Sequence, residues 1–185
     1  SITASGYGGA ITNYSAYKGK LNLTLNNCTF LDDDAPNAGG AIYNGGSTTL
    51  NDDDMQVYVN NCTFDSCSGY AIYSAGGKIF LSVDTSRFTN NAGGIIQVGS
   101  TIDGISLGKI TNCTFSNSAT AIYLYAYNSG TGAYNKSLSY NIDSCTFSNN
   151  SYGLYANNYS QGSNAKHVQY TLSNSTFTGN TSGAV

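Results

Sequence analysis

Charge is what this chain has least of. Only 9% of its 185 residues are charged, all ten acidic side chains are Asp, and there is no Glu anywhere. A net charge of −3 gives no electrostatic footprint for nucleic acid or an anionic membrane, so neither is expected as a partner. Of the strong helix formers Glu is absent and Lys and Leu are sparse beside Asn, Ser, Thr, Gly and Tyr, which argues against helix and for strands joined by turns. No run of eighteen apolar residues is present, so no segment reads as a membrane-spanning helix. No Cys-x-x-Cys and no His-containing spacing suits zinc. The chain opens on Ser1 without a charged and apolar leader, and is expected to be mature or cut from something longer.

What the chain does have is repetition. Asn61-Cys62-Thr63-Phe64 recurs as Asn27-Cys28-Thr29-Phe30 and Asn112-Cys113-Thr114-Phe115. Weaker copies stand at Ser144-Cys145-Thr146-Phe147, Asn174-Ser175-Thr176-Phe177 and Thr85-Ser86-Arg87-Phe88. The six phenylalanines are 34, 24, 27, 32 and 30 residues apart, a spacing typical of solenoids, propellers and arrays. A second landmark follows each Phe, as in Gly40-Ala41-Ile42-Tyr43, Tyr70-Ala71-Ile72-Tyr73, Gly94-Ile95-Ile96-Gln97, Thr120-Ala121-Ile122-Tyr123 and Gly153-Leu154-Tyr155. A third precedes it, where apolar residues alternate, as in Met55, Val57, Val59 or Leu138, Tyr140, Ile142; period two is the mark of a half-buried strand. Before Cys113 the alternation breaks phase, with Ile105 and Leu107 on the other parity from Ile110 and Gly104 and Gly108 beside them, which predicts a bulge.

Three short strands per repeat, a period near thirty and no intervening helix describe a single all-β domain over residues 1–185, a right-handed parallel β-helix of six to seven rungs. A propeller blade would need four antiparallel strands, and a sandwich is the weaker alternative. Stacked rungs put equivalent residues in columns. Inside belong the Phe, the Cys/Ser at its side, the apolar columns of the first strand, and the column Ile11, Ile42, Ile72, Ile96, Ile122, Leu154 and Val185. Outside belong Thr29, Thr63, Thr114, Thr146 and Thr176. Tyr43, Tyr73, Tyr123 and Tyr155 have the parity opposite to Ile and are expected to form an external aromatic ladder. Exchange of Cys for Ser86 and Ser175 in one column argues for small buried residues rather than a disulfide framework, although Cys62 and Cys67 are close enough in sequence to pair. Length variation collects between the third strand and the next first strand, the corner where solenoids often bind ligands.

Phe88-Thr89-Asn90-Asn91, Phe147-Ser148-Asn149-Asn150 and Phe177-Thr178-Gly179-Asn180 fit Phe-x-x-Asn, while Gly8-Gly9-Ala10-Ile11 and Gly39-Gly40-Ala41-Ile42 fit Gly-Gly-Ala-Ile/Leu/Val. That grammar resembles the repeat of chlamydial polymorphic membrane proteins and related adhesin-like β-helix proteins. The resemblance implies a surface-exposed, non-enzymatic stalk or adhesin.

Candidate chemistry is thin. Asp32, Asp33 and Asp34 with Asp52, Asp53 and Asp54 fall in corners of neighbouring rungs and offer oxygen ligands for Ca²⁺; otherwise they form a solvated acidic corner. Ten Asn-x-Ser/Thr sequons exceed chance and suggest a secreted, glycosylated surface, though turn-rich repeats also create them. Sugars are expected at Asn13, Asn135, Asn149 and Asn158, with Asn174 and Asn180 as further candidates, rather than at Asn27, Asn61 and Asn112, which stack in one column. Arg87, on the outward position of the Cys-Thr-Phe strand, reads as a surface ion pair with Asp84 or Asp65, and His167 as a loop residue. Exposed Tyr rows can stack on sugar rings, and polysaccharide lyases and hydrolases share the fold, so a carbohydrate-binding module or such an enzyme is the alternative to a structural role. Counting back from Ala10 puts Ser1-Ile2-Thr3 in mid-rung, which leads us to expect rungs that continue into a longer surface protein or an extracellular fibre of stacked copies.

Overall fold

Period-two alternation commits each segment to extended backbone, and the residues between segments decide where the backbone turns. In the computed structural model the described residues are 8–15, 20–35, 39–46, 54–76, 78–99, 104–128, 136–160 and 167–183. Ser1-Ile2-Thr3, Asp52, Asp53, Asn135 and Val185 lie outside them. The order is β1 (Ile11–Ser15), then β2 (Lys20–Asn26), β3 (Thr29–Leu31) and β4 (Gly39–Gly46). The same three-strand turn recurs as β5 (Asp54–Asn60), β6 (Thr63–Asp65) and β7 (Tyr70–Gly76), and again as β8 (Lys78–Asp84), β9 (Arg87–Thr89) and β10 (Gly93–Gly99). A fourth rung is β11 (Gly104–Thr111), β12 (Thr114–Ser116) and β13 (Thr120–Asn128), and a fifth is β14 (Lys136–Asp143), β15 (Thr146–Ser148) and β16 (Tyr152–Ser160). β17 (His167–Ser173) and β18 (Thr176–Thr178) belong to the sixth, whose third side starts where Gly183 bridges to Tyr152.

Corresponding strands pair in parallel into three six-stranded sheets, β2 to β17, β3 to β18 and β1 to β16, each rung bonded to the rungs on either side of it. This is the expected parallel β-helix, with six rungs. The two corners flanking each short middle strand are made by single residues in the left-handed region. Asn27, Asn61, Thr85, Asn112, Ser144 and Asn174 form one such column and Asp32, Ser66, Asn90, Asn117, Asn149 and Gly179 the other, all with φ between 48° and 66°. Asn, Asp and Gly tolerate that region because of local hydrogen bonding or the missing Cβ, whereas a β-branched residue is strained in it. Thr85 is the one β-branched member. Thr85→Asn is therefore expected to stabilise the fold by about 1 kcal/mol, read as a higher urea midpoint at unchanged slope; no gain would mean that the bond from Thr85 Oγ1 to Asp84 Oδ2 (3.1 Å) offsets the strain.

The core is a set of columns along the axis. The rings from Phe30 to Phe177 stack with centroids 4.5–5.2 Å apart and planes within 10° of parallel. Cys62, Ser86, Cys113 and Cys145 are buried beside them, and all five cysteines, Cys67 included, are unpaired. The outward threonines are exposed or half-exposed as expected.

Two expectations fail in detail. No bulge precedes Cys113: β11 stays in unbroken register with β14 from Gly104↔Lys136 to Thr111↔Asp143, and with β8 from Leu107↔Phe80. Leu107 consequently points outward, 46% exposed, while Ser106 and Gly108 take inward places. Hydrogen bonding to two neighbouring strands outweighs one exposed Leu. The space at Gly108 is filled by Tyr140, whose ring occupies the position a Cβ would take and whose hydroxyl donates to Gln97 Oε1 at 3.0 Å. The irregularity lies instead in β4, where the register with β7 shifts between Gly39 and Ile42. In the third sheet, Ile95, not Ile96, pairs with Ile72 and Ile122; Ile96 falls in the tyrosine column between Tyr73 and Tyr123.

Candidate functional site

The outward columns of the first sheet carry the most chemistry. Its last residues, Asn26, Asn60, Asp84, Thr111, Asp143 and Ser173, are in register along the axis. A shallow groove of about 560 Å³ runs over them, lined by Asn60, Ser82, Asp84, Lys109, Thr111, Asn112, Asn141 and Asp143. Asp84 Oδ1 accepts from Thr111 Oγ1 at 2.5 Å and Asn112 Nδ2 at 3.0 Å. Asp143 Oδ1 accepts from Ser173 Oγ at 2.6 Å and Asn174 Nδ2 at 2.8 Å, and its Oδ2 from Ser144 Oγ at 3.1 Å. The hydrogen bond from Thr111, with those from Asn112 and Thr85 and the Lys109 charge, holds the Asp84 carboxyl below its usual range; for Asp143 the bond from Ser173 leads, followed by Asn174 and Ser144. Both are carboxylates at neutral pH. An arrangement of two fixed anions, one ammonium and several hydroxyl and amide groups can hydrogen-bond a polar ligand, and neither Asp is tuned to give up a proton as a general acid.

Because both pKa values are depressed on folding, their stabilising effect is complete above the ordinary carboxyl value, 3.8, and is lost as pH falls through the lower folded-state values. The melting temperature is expected to hold from neutrality to about pH 5 and to drop at lower pH, and the drop to be shallower in a double Asp84→Asn, Asp143→Asn variant. An unchanged acid limb in that variant would assign the effect to other groups.

The third sheet carries the aromatic residues. Tyr43 stacks on Tyr73 at 5.7 Å and Tyr123 meets Tyr155 at 5.0 Å, but Ile96 separates the two pairs, so the expected ladder is interrupted. Tyr70 closes part of the gap by lying over Gly93 and approaching Tyr123 at 6.3 Å, while Tyr125 and Tyr152 extend the strip at 5.4 Å from Tyr123 and 5.2 Å from Tyr155. Burial raises the Tyr70 hydroxyl pKa to about 12, with the neighbouring Tyr123 adding to the effect. Tyr155 is exposed and the other three predicted rings are half-buried.

Asp34 precedes β4 and the backbone of Asp54 opens β5, while Asp52 and Asp53 lie outside the described residues. Asp33 is buried, and Asp34 accepts a hydrogen bond from Ser68 Oγ in the next rung. Among the described residues no cluster of three or more His, Cys, Asp or Glu side chains is assembled for a metal.

The candidate sugar acceptors divide by what their amides do. Asn149 and Asn158 are exposed, and Asn13 Nδ2 donates to Asn44 Oδ1 at 2.7 Å. Asn174 Nδ2 is bound to Asp143, and Asn180 Nδ2 donates to Phe147 O at 3.1 Å. Asn180 belongs to an internal ladder that accounts for the Phe-x-x-Asn repeat: Asn91, Asn150 and Asn180 each donate to the carbonyl of the Phe in the preceding rung and accept an amide N–H there, from Cys67, Ser118 and Asn150. Arg87 donates from Nε to Thr89 Oγ1 at 2.8 Å, and the backbone of His167 opens β17 rather than lying in a loop. The groove carboxylates escaped the sequence reading, although both stand two residues before the Cys/Ser landmark, where alignment on that landmark would have found them.

A family described as the right handed beta helix region matches residues 50–141, which run from the threshold of β5 into β14. With the parallel pairing of all three sheets, the architecture is a right-handed parallel β-helix. Comparison with curated proteins and with solved structures returns no match.

Proposed function

We propose that this right-handed β-helix is a non-enzymatic part of a cell-surface or extracellular structure, the stalk of an adhesin or a unit of a fibre in which rungs continue end to end. The observation that carries the reading is the constancy of the columns up to the last described rung. Phe177 stacks on Phe147 at 4.5 Å, closer than any other pair in the stack, yet remains half-buried, and Val168 and Leu172 beside it are half-buried too. A further rung would cover them as each inner rung covers its neighbour. Among the described residues β17 and β18 at one end, and β1, β2 and β3 at the other, each pair on one side only, and such edges recruit strands. Resemblance to adhesin-like repeats supports a surface location, and the exposed position of Asn149 suits glycosylation. The two ionised groove carboxylates argue against glycoside hydrolysis, which needs one carboxylic acid held protonated.

Electron microscopy of the native material tests this. A fibre with an axial repeat of roughly 30 Å, six rungs at about 4.8 Å, supports stacking; a stable monomer at high concentration overturns it. The tyrosine strip favours a second reading, glycan binding without catalysis, since rows of exposed and half-exposed rings stack on sugar faces. Titration with a panel of polysaccharides, followed by tyrosine fluorescence and by assay for released products, separates the two: binding without product means a module, product means an enzyme, and neither leaves the structural role.

A further inference from the structure

Along the first corner the six rungs carry Cys28, Cys62, Ser86, Cys113, Cys145 and Ser175, so the column contains two cysteine pairs on adjacent rungs, each followed by a serine. We propose that Cys28 with Cys62, and Cys113 with Cys145, are two inter-rung disulfide sites, which close under oxidising conditions and leave Cys67 as the free thiol. Each thiol has one thiol neighbour in the column, because Ser86 and Ser175 interrupt it, and the connectivity is thereby unambiguous. In the first pair the two residues are already in contact, through the Cys28 amide and the Cys62 sulfur.

Residues stacked in a parallel sheet stand about 4.8 Å apart, inside the Cα range of disulfides but about 1 Å beyond their usual Cβ separation. The corner supplies the missing play. Cys28 N–H donates to Cys62 Sγ at 3.4 Å, so that amide is not tied to a carbonyl in the ladder. The bonds lost on oxidation are weak S–H contacts to carbonyls, such as Cys62 to Asn60 O at 3.2 Å and Cys113 to Thr111 O at 3.1 Å.

With a small-molecule disulfide such as glutathione disulfide as oxidant, one thiolate attacks it, forms a mixed disulfide and releases one thiol. The partner thiolate then displaces the second. Two S–H bonds are exchanged for one S–S bond, and the oxidant leaves as two thiols. Cys113 and Cys145 are buried in the finished coil, so this takes place while the rungs assemble. The covalent ties would join the first rung to the second and the fourth to the fifth.

The test is refolding from denaturant in a glutathione redox buffer, then alkylation, intact mass and peptide mapping. The expected product has lost four hydrogens, carries one alkylated cysteine at Cys67, yields 28–62 and 113–145 linked peptides, and melts several degrees above the reduced form. Five alkylated thiols, or a link that includes Cys67, overturns the proposal. A Cys145→Ser variant, which gives rung five the residue that rungs three and six already have, is expected to fold and to free Cys113 alone; a link from Cys113 to any other cysteine would equally overturn it. Because the readout is made in a defined buffer, its failure leaves the surface role untouched.

Discussion

Phe64→Ala is expected to lower the unfolding free energy by about 3–5 kcal/mol, measured by chemical denaturation. Phe64 is fully buried in the second rung, with Phe30 and Phe88 stacked on its two faces at 4.8 and 4.7 Å. Removing the ring forfeits its transfer free energy and leaves a cavity walled by two other rings. Those rings cannot collapse into the gap, since each is fixed by its own backbone ladder at one rung height. The same change at Phe177, which has one ring neighbour and is half-buried, is expected to be clearly milder. A loss below 1 kcal/mol at Phe64 would mean that the stack is not the core. Equal losses at the two positions would contradict the burial difference between them.

Asn150→Ala is expected to come close to that figure, about 2–4 kcal/mol, although a polar residue is being removed. Asn150 is 1% exposed; its Oδ1 accepts from Ser118 N–H at 3.0 Å, and its Nδ2 donates to Phe115 O at 3.2 Å and Asn180 Oδ1 at 3.1 Å. Truncation strands a buried N–H and a buried C=O away from water, each costing about 1–3 kcal/mol, and also cuts the side-chain link to Asn180 in the next rung. Asn150→Leu restores volume but neither bond and is expected to be no better. Asn149→Ala, one residue away on the exposed corner, serves as the control. It sits in the left-handed region at φ 55°, so its loss reflects local backbone preference and should not exceed about 1–2 kcal/mol. If Asn150→Ala proved as mild as Asn149→Ala in urea denaturation, the ladder would be ornamental and the Phe-x-x-Asn repeat would need another cause.

Both predictions concern residues that the repeat had already marked. The Phe column, the inward apolar columns and the outward threonines were legible because each is restated in rung after rung, and parallel in-register stacking converts a position in the repeat directly into a position in space. The corners were legible for a related reason: Asn, Asp, Ser and Gly recur where a left-handed backbone is needed, and eleven of the twelve corner residues are of these types. Where one copy contradicted its neighbours, however, local pattern misled. Leu107 suggested a change of phase, and the pairing of β11 with strands on both sides kept the phase and put Leu107 in solvent. The double Ile in Gly94-Ile95-Ile96 offered two alignments, and only the ladder assigns Ile95 to the core and Ile96 to the tyrosine strip.

The candidate sites divide in the same way. By itself the sequence determined the solenoid, its rung length, its inward columns and the rows of tyrosine, since these depend on the repetition of covalent positions. Tertiary structure alone decided which rows are continuous and that Asp84 and Asp143 share one groove with Lys109. It also decided that Cys28 and Cys62 touch across adjacent rungs, the amide of one on the sulfur of the other. The physical reason is that neighbours along the axis are about thirty residues apart in the chain. Their contacts are set by a register that every hydrogen bond in the ladder enforces at once, and a local stretch of residues does not determine it.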